Sequence, residues 1–307
     1  MSATEPAAPS AAPASGASSW RDLLDLTKPR LSLLSVLTTL VGYAAARPGW
    51  HAREFAFLCV GTCACAGGVA AVNQWMESDT DARMDRTADR PLPSGRLPGG
   101  NAFVLGWGLT AFGLGCLFAQ VNGLSAFFAL ATVVSYLALY TPAKRESPWA
   151  TEIGAIAGAF PPLIGWAAAE GGRLHVGALG WILFGVLTTW QIPHFMAIAW
   201  THRRDYAKVN FPMLTTRDPD GTRVARWSLI NTLAVVALCL LPSLLGLTTP
   251  GYAAVTAVLG AWFLARAVAF LRPAGRDASA RQLFLCSIVW LPLQLGALVI
   301  DRLFFAP

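Results

Sequence analysis

The chain has 307 residues, of which 55% are hydrophobic and only 13% are charged, and its mean hydropathy is +0.50. Because a soluble domain carries about a quarter charged residues, this composition excludes an ordinary water-soluble protein and favours an all-α integral membrane protein. The formal net charge is +6. The basic residues lie in short segments between apolar stretches, so they indicate orientation in a lipid bilayer rather than binding to nucleic acid.

The first residues of the chain differ in composition from the rest. Residues 2–19 are rich in Ala, Ser and Pro, and they lack the basic start and the apolar core of a signal peptide. Such a segment cannot bury enough apolar surface to fold by itself. We therefore predict a disordered cytoplasmic tail over residues 1–25 and a single transmembrane domain over residues 26–307.

Long apolar segments follow the tail. A hydrocarbon core of about 30 Å requires about 20 apolar residues in a helix, and nine segments approach this length. The breaks near Asn122 and Gly251 contain few polar residues, so loss of either break would leave eight spans. The predicted transmembrane helices cover approximately residues 30–47, 54–77, 101–119, 122–141, 151–169, 176–199, 227–247, 251–271 and 280–301.

Basic residues alternate between the connecting loops. Arginines and lysines are concentrated in the loops at 78–100, 142–150, 200–226 and 272–279, whereas the intervening loops contain few. The side with more basic residues normally faces the cytoplasm. The pattern predicts a bundle of nine transmembrane helices with a cytoplasmic N-terminus and an external C-terminus. Almost all acids lie on the cytoplasmic side, which favours catalytic loops that face this compartment.

A stripe of polar residues begins near the end of the second span. Asn73, Glu77, Asp81 and Asp85 recur every four residues, a spacing that places them on one face of a helix. Like charges at this spacing destabilise a helix by roughly a few tenths of a kcal/mol per pair, so the pattern favours a bound divalent cation. Magnesium prefers oxygen ligands and commonly combines one or two carboxylates with substrate phosphates.

An ordinary solvated helix end with ion pairs is the alternative interpretation of this stripe. Asn73 lies within the predicted hydrocarbon region, where polar groups are costly and usually line a cavity, so we favour the functional interpretation. Pro91 and Pro93 end the helix and favour an extended turn. The turn would place Arg90 and Arg96 close to an anion held by the metal.

The stripe is part of a longer motif. Asn73-xxx-Glu77-xxx-Asp81, followed by Arg86-Thr87 and by residues 90–95, resembles the first acidic motif of the UbiA superfamily of intramembrane prenyltransferases. Further segments between about residues 26 and 214 resemble the branch of that superfamily whose acceptor is haem. These segments are Lys28-Pro29-Arg30, Gly158–Trp166, Trp190–Phe195, Asp205-Tyr206 and Pro212–Leu214.

The resemblance implies a UbiA-type domain over residues 26–307 and transfer of a farnesyl group from farnesyl diphosphate to a vinyl group of haem B. Pyrophosphate would leave, magnesium would be the cofactor, and haem B would be a substrate. The implied location is a bacterial inner membrane, with a haem A synthase as a candidate partner.

The resemblance also implies roles for individual residues. Asn73, Glu77 and Asp81 would hold magnesium, with Asp85 as a further catalytic candidate. The implied diphosphate-binding residues are Lys28, Arg30, Arg86, Arg90, Lys144 and Arg145. The implied acceptor-binding residues are Gln191, His194, Asp205 and Tyr206.

Several of these residues have a simpler interpretation. Lys28, Arg30 and Arg90 are also suited to interfacial anchoring, and His194 to a hydrogen bond inside the bundle. Asp205 and Tyr206 could close over the diphosphate, bind a second magnesium or cap a loop.

The chain departs from the family pattern at a few positions. Glu77 stands where an aspartate is usual, and its carboxylate reaches one methylene further. Ala150 replaces an asparagine, and Glu152 an apolar residue. Asn210 replaces a glycine, a change that asparagine tolerates because it can adopt left-handed geometry.

Three other functions remain open from the sequence. A UbiA-type enzyme with an aromatic acceptor predicts a second Asp-rich motif around residues 190–210, where Asp205 stands alone. A secondary transporter predicts internal repeats with paired broken helices near the membrane midplane, whereas the polar residues here are concentrated at one face. A purely structural membrane subunit does not account for the carboxylate stripe.

Overall fold

The computed structural model describes residues 19–46, 49, 51–173 and 175–306. These residues form α-helices and one π-helical segment, with no β-strand among them, which confirms the all-α prediction. The α-helices are α1 (Trp20–Leu26), α2 (Pro29–Ala45), α3 (Ala52–Met76), α4 (Ser78–Asp81), α5 (Gly99–Gln120), α6 (Gly123–Val134), α7 (Thr141–Glu146), α8 (Ala150–Ala157), α9 (Pro161–Ala169), α10 (Ala178–Thr201), α11 (Arg203–Lys208), α12 (Leu214–Arg217), α13 (Thr222–Leu244), α14 (Pro250–Phe270) and α15 (Arg276–Phe304). The π-helical segment Ser135–Tyr140 joins α6 to α7.

Within the described residues, eight helical segments are long and apolar enough to cross a membrane. Two of them combine shorter helices, namely Gly123–Glu146 and Ala150–Ala169. The segment predicted over residues 30–47 corresponds to α2, which has 17 residues and is therefore about 25 Å long. The prediction of a polytopic helical membrane protein is confirmed, and eight of the nine predicted spans are long and apolar enough by themselves to cross a membrane.

The N-terminal prediction has two outcomes. Residues 1–18 lie outside the described part of the chain. Residues 20–25, which were predicted to belong to a disordered tail, instead form α1, and the Ser19 side chain accepts a hydrogen bond from the Arg21 backbone N–H. Leu26 at the end of α1 is fully buried against Ala71 and Leu97. This apolar contact explains why the helix forms.

Both uncertain breaks between spans are present. The chain reverses after α5, where the Asn122 side chain caps α6 by accepting a hydrogen bond from the Ser125 N–H at 2.8 Å. It reverses again between α13 and α14, where Thr249 is the N-cap residue and Pro250 occupies the first turn of α14. Capping side chains satisfy the free N–H groups of a helix start, so these turns require little other polar sequence.

The segment predicted as one span over residues 151–169 is broken in the middle. Helix α8 ends at Ala157, and α9 begins at Pro161 after the short connection 158–160. Pro161 and Pro162 lack backbone N–H groups and therefore cannot continue the hydrogen-bond ladder of α8. The break exposes irregular backbone at membrane depth, which is tolerated where it lines a cavity.

Close packing of small residues fixes the position of α3, the helix that carries the polar stripe. A Cβ atom added at Gly68 would lie 2.6 Å from the Gly106 carbonyl oxygen, and one added at Gly113 would lie 2.6 Å from the Gly61 carbonyl oxygen. The backbones of α3 and α5 therefore touch along two turns, as small residues allow in membrane helices.

The helices enclose a cavity. Helix α2 packs against α3, α9 and α15, while α6 packs against α5 and α9. The cavity lies between α2, α3, α6 and the break between α8 and α9. Its wall consists mainly of small apolar side chains, and Lys28 and Tyr136 line it at the end nearest the polar stripe.

The long loops meet at that same end of the bundle. Met84 in the first loop packs with Val209 and Phe211 of the third loop, and Tyr206 joins this cluster. Asn210 between these residues has φ = 55°, which confirms the expected left-handed geometry.

Candidate active site

The polar stripe is built on the last turn of α3 and on α4. The Glu77 N–H donates to the Asn73 carbonyl at 3.0 Å, and the Asp81 N–H donates to the Glu77 carbonyl at 2.8 Å. These bonds span four residues each, so the three side chains share one face despite the boundary between α3 and α4. All three are buried, with 1%, 6% and 2% of their surface exposed.

The buried carboxylates of the stripe are paired with bases from distant segments. Lys144 Nζ lies 2.7 Å from Glu77 Oε1, and Arg90 Nη1 lies 2.5 Å from Asp81 Oδ2. The expectation that the stripe is repulsive without a metal is therefore wrong, because these bases compensate the charges. Buried charges are stable only when they are paired in this way.

Asn73 connects the stripe to two further elements. Its Nδ2 donates to Thr141 Oγ1 at 3.1 Å, and its Oδ1 accepts from Lys28 Nζ at 3.5 Å. Thr141 in turn donates to the Tyr136 carbonyl at 2.9 Å. This chain of hydrogen bonds orients the amide so that its oxygen, the atom suited to a metal, faces Lys28.

Lys28 has a left-handed backbone conformation and a lowered side-chain pKa. Its φ of 45° and ψ of 63° are left-handed, and Pro29 disfavours the alternative right-handed helical geometry. Desolvation, followed by the nearby charges of Arg90 and Lys144, lowers the pKa of Lys28 to about 8, against the opposing effect of Glu77 and Asp81. Sparsely populated conformations cluster at functional sites, so the strained backbone supports a functional role for this side chain.

The remaining acids of the segment lie at the outer rim. Asp79 accepts two hydrogen bonds from Arg145, at 2.7 and 3.1 Å, and this interaction holds the pKa of Asp79 below its usual value. Asp85 does not continue the stripe, because the Met84 N–H bonds to the Asp81 carbonyl in a three-residue turn. Its side chain is 80% exposed and pairs with Lys208.

The predicted diphosphate-binding residues thus divide into three groups. Lys28, Arg90 and Lys144 contact the buried residues of the stripe, whereas Arg145 contacts Asp79 at the outer rim of the site. Arg30 and Arg86 are exposed. Arg86 lies close to His202, whose pKa is lowered first by desolvation and then by the Arg86 charge.

Gln191 lies behind the break between α8 and α9. Its Nε2 donates to the Ala155 and Leu187 carbonyls at 3.2 and 3.0 Å. A Cβ atom at Gly158 would lie 2.2 Å from Gln191 Oε1, so the amide fills the space that the glycine leaves. Because Gly158 lines the cavity, Gln191 supports the cavity wall at the break.

His194 faces α15. Its ring stacks on Trp190 with 4.8 Å between centroids, and its Nδ1 lies 2.8 Å from Ser287 Oγ. The Ser287 hydroxyl donates to the Phe284 carbonyl at 2.6 Å. The network therefore assigns the imidazole proton to Nδ1 and leaves Nε2 with a free lone pair in the neutral ring.

Asp205 and Tyr206 lie on α11, which is tied to the acidic segment. Asp205 lies 3.7 Å from Lys208 Nζ, and Lys208 also binds Asp85. That contact with Asp85 raises the pKa of Lys208. The Tyr206 ring stacks on Phe211 in the cluster that joins the first and third loops.

Tyr136 and Thr141 belong to the site, although neither was predicted to have a function. The π-helical segment contributes Tyr136 to the cavity wall, while Thr141 follows its end and binds Asn73. Tyr140, the last residue of the segment, lies under the Lys144 ammonium at 4.6 Å. π-Helical turns often occur at functional sites. The extra residue that such a turn inserts into an α-helix leaves no clear signal in the sequence.

The described residues contain no group of three His, Cys, Asp or Glu side chains arranged to hold a metal. The available set is two carboxylates and one amide oxygen on consecutive turns. This donor set fits magnesium, which keeps waters and shares its remaining positions with substrate phosphates.

The fold and this cluster define a polytopic helical membrane protein with a buried acid–base site at the mouth of an apolar cavity. Residues 35–289 match the UbiA prenyltransferase family, and the chain belongs to that family. It is therefore a prenyltransferase.

Relatives with high identity cover almost the whole chain. A protein of Opitutus terrae called protoheme IX farnesyltransferase is 61% identical over 295 residues, which are 96% of this chain and 99% of the relative. A protein of the same name from Solibacter usitatus is 41% identical and covers 92% of this chain and 99% of the relative.

Solved structures show the same fold at low identity. A digeranylgeranylglyceryl phosphate synthase has a TM-score of 0.77 at 15% identity, covering 92% of this chain and 98% of its own. A UbiA homologue of Archaeoglobus fulgidus, solved with GPP and Mg2+, has a TM-score of 0.60 at 14% identity and covers 90% of this chain and 99% of its own.

Proposed function

We propose that the protein transfers the farnesyl group of farnesyl diphosphate to a vinyl group of haem B and releases pyrophosphate. The donor half of the reaction is supported by one observation, the half-buried set of Lys28, Arg90 and Lys144 around the buried stripe of Asn73, Glu77 and Asp81 at the mouth of an apolar cavity. The acceptor half is supported by the relatives called protoheme IX farnesyltransferase.

Breaking the bond between farnesyl C1 and oxygen leaves the electron pair on the diphosphate. Positive groups placed in advance stabilise this developing charge best where water is excluded. The residues suited to hold magnesium are Asn73, Glu77 and Asp81, and the metal would supply additional charge neutralisation on the phosphate oxygens. The Archaeoglobus fulgidus homologue with GPP and Mg2+ supports this chemistry by analogy of fold.

Lys144 and Arg90 have two possible partners, namely the carboxylates of the stripe and the phosphates of the donor. Without donor, Lys144 and Arg90 neutralise Glu77 and Asp81. A metal bound to Glu77 and Asp81 would free both bases to contact the phosphate oxygens. Lys28, Arg30, Arg86 and Arg145 are the further candidates for diphosphate contact, with Lys28 nearest to the stripe.

The acceptor is expected on the α10 side of the site. We assign Gln191, His194, Asp205 and Tyr206 to its environment, with Nε2 of His194 as the atom able to bind the haem iron. A ring nitrogen held by a hydrogen bond on one side is a better metal ligand on the other. Haem A synthase is the partner that this reaction suggests.

The topology belongs to the same proposal. We count α2 as a ninth span, with the N-terminus in the cytoplasm, the C-terminus outside and the loops of the site facing the cytoplasm of a bacterial cell. The basic residues of the long loops support this orientation. A single domain after α1 completes the proposed organisation.

Purified protein incubated with haem B, farnesyl diphosphate and Mg2+ tests the function. We expect the pigment to gain one farnesyl group and one hydroxyl, as read by mass, the hydroxyl coming from a water molecule that adds to the carbocation left on the vinyl group and releases a proton. EDTA should abolish the gain. Asp81→Asn should lose this activity, whereas Asp89→Asn, an exposed acid of the same loop, should keep it. A product formed only with an aromatic acid acceptor would overturn the assignment of haem.

A further inference from the structure

The hairpin formed by α14 and α15 carries an exposed arginine inside a membrane-spanning segment. Arg266 lies five residues before Leu271, the C-cap of α14, which is about 7.5 Å along the helix axis. Its Nη1 donates to Gln282 Oε1 of α15 at 3.0 Å, and both side chains are exposed on the outside of the bundle. The contact holds the guanidinium across the groove between the two helices, and its Nε and Nη2 donate to no described residue.

Two further arginines lie close to this position along the hairpin. Arg281 is exposed and precedes Gln282 on α15. It follows the helix start at Arg276 by five residues, so it lies as far from its helix end as Arg266 does. Arg272 is exposed in the turn that joins α14 to α15. The hairpin therefore presents three positive charges within about two turns of its end.

No acid of the hairpin neutralises these three arginines. None of them forms an ion pair within the described part of the chain. The acid nearest to them in sequence is Asp277, and its carboxylate is directed to the end of α10. There it accepts a hydrogen bond from Trp200 Nε1 at 2.7 Å and pairs with Arg203 at 3.2 Å. Unneutralised bases at a membrane surface attract anionic headgroups.

An apolar track leads from the arginines towards the middle of the bilayer. Leu285, Val289 and Leu293 of α15 are each 50% exposed. Their spacing places them on the same side of α15 as Gln282, and they extend over about 12 Å. A phospholipid has the same order of groups, with a phosphate at the membrane surface and acyl chains below it. A free anion would contact the arginines but would make no use of the track.

We propose that the α14–α15 hairpin binds one anionic phospholipid, with its phosphate between Arg266 and Arg281 and an acyl chain along the apolar track. Gln282 orients the Arg266 guanidinium, and Arg272 adds positive charge at the rim. A guanidinium can donate two parallel hydrogen bonds to one phosphate, which gives this site more specificity than charge alone. The simpler interpretation treats each arginine as a separate interfacial anchor that extends to the nearest water.

Native mass spectrometry of the purified protein in detergent tests the site. The probes are phosphatidylglycerol and phosphatidylcholine with identical acyl chains, so that the two lipids differ in headgroup charge. Each arginine near an anionic lipid contributes about fivefold to affinity. The double variant Arg266→Gln/Arg281→Gln should therefore bind phosphatidylglycerol about 25-fold more weakly, while its affinity for phosphatidylcholine should change by less than about threefold.

Arg226→Gln is the matched control, because it removes an exposed arginine four residues after the start of α13. It should change the affinity for phosphatidylglycerol by less than about twofold, whereas Arg266→Gln should reduce it by about fivefold. Arg266→Lys keeps the charge but loses the forked geometry, so it should also weaken binding severalfold. An effect of this size would not follow from surface charge alone.

Three results would overturn the site. These are equal losses in Arg226→Gln and Arg266→Gln, a wild-type protein without preference for phosphatidylglycerol, and displacement of the lipid by inorganic phosphate, which would indicate a free-anion site. The assay contains neither farnesyl diphosphate nor haem. The lipid site can therefore be confirmed or excluded independently of the proposed transfer reaction.

Discussion

Lys144→Met is the most informative single change, because it separates the metal from the diphosphate. Lys144 Nζ lies 2.7 Å from Glu77 Oε1, and both side chains are largely buried at 17% and 8% exposure. Hydrogen bonds to charged groups are worth about 1.5–3 kcal/mol net. The pair must break before a metal can use Glu77, so wild-type metal affinity is reduced by about this energy.

The variant should therefore show two opposite effects. Mg2+ or Mn2+ should bind more tightly in the absence of diphosphate, by about 10- to 150-fold for 1.5–3 kcal/mol. A thiolodiphosphate analogue of farnesyl diphosphate, which binds but does not react, should bind more weakly, because a phosphate contact of similar energy is lost. Mn2+ binding followed by electron paramagnetic resonance and donor binding followed by calorimetry measure the two effects separately.

Lys208→Met is the matched control. Lys208 pairs with Asp85 at the exposed rim, where ion pairs contribute little, so neither affinity should change by more than about twofold. Unchanged or weaker metal binding in folded Lys144→Met would refute the exchange of partners. It would then follow that Glu77 does not hold the metal.

Three further results are expected. Because the pKa of Lys28 is lowered to about 8, its ammonium loses a proton as the pH rises through that value, and donor affinity should fall above about pH 8. Lys28→Arg should flatten this pH profile, and a profile that the substitution leaves unaltered would exclude Lys28 as the titrating group. Thr141→Val removes the acceptor of the Asn73 amide and should weaken metal binding in the presence of pyrophosphate by about fivefold, in line with a hydrogen bond of about 1 kcal/mol. His194→Ala should change the absorption spectrum of bound haem, and Ser287→Ala should cause a smaller change. An unaltered spectrum in both variants would mean that the His194 imidazole only packs inside the bundle.

The sequence predicted the parts of the site that depend on local spacing. Asn73, Glu77 and Asp81 share a face because the helical hydrogen bonds continue through them. Asp85 follows the same numerical period, yet the chain leaves the helix after Asp81, and spacing alone cannot show where a helix ends. The N-cap of α6 at Asn122, which lets the chain reverse there with few polar residues, is also a local feature of the sequence.

The partners of the stripe were predicted as phosphate ligands but not as ion pairs. Lys144 and Glu77 are separated by 67 residues along the chain, so their contact depends on the packing of the π-helical segment against α3 and α8. The break between α8 and α9 at Gly158 was not predicted either. Its residues are as apolar as a continuous span, and only the pair Pro161-Pro162 signals that the ladder stops.

Charge balance links this cluster to its proposed ligands. Two carboxylates face three bases, an excess of one positive charge, and the repulsion from Arg90 and Lys144 adds to desolvation in lowering the pKa of Lys28. Farnesyl diphosphate carries about three negative charges and magnesium two positive ones, so one metal with one donor brings the cluster to neutrality. Buried sites avoid uncompensated charge, which favours a single magnesium at this cluster and binding of metal and diphosphate together. The bound donor should also raise the pKa of Lys28 from its value of about 8, so the pH dependence should appear in the binding of the donor and not in the rate of the saturated enzyme.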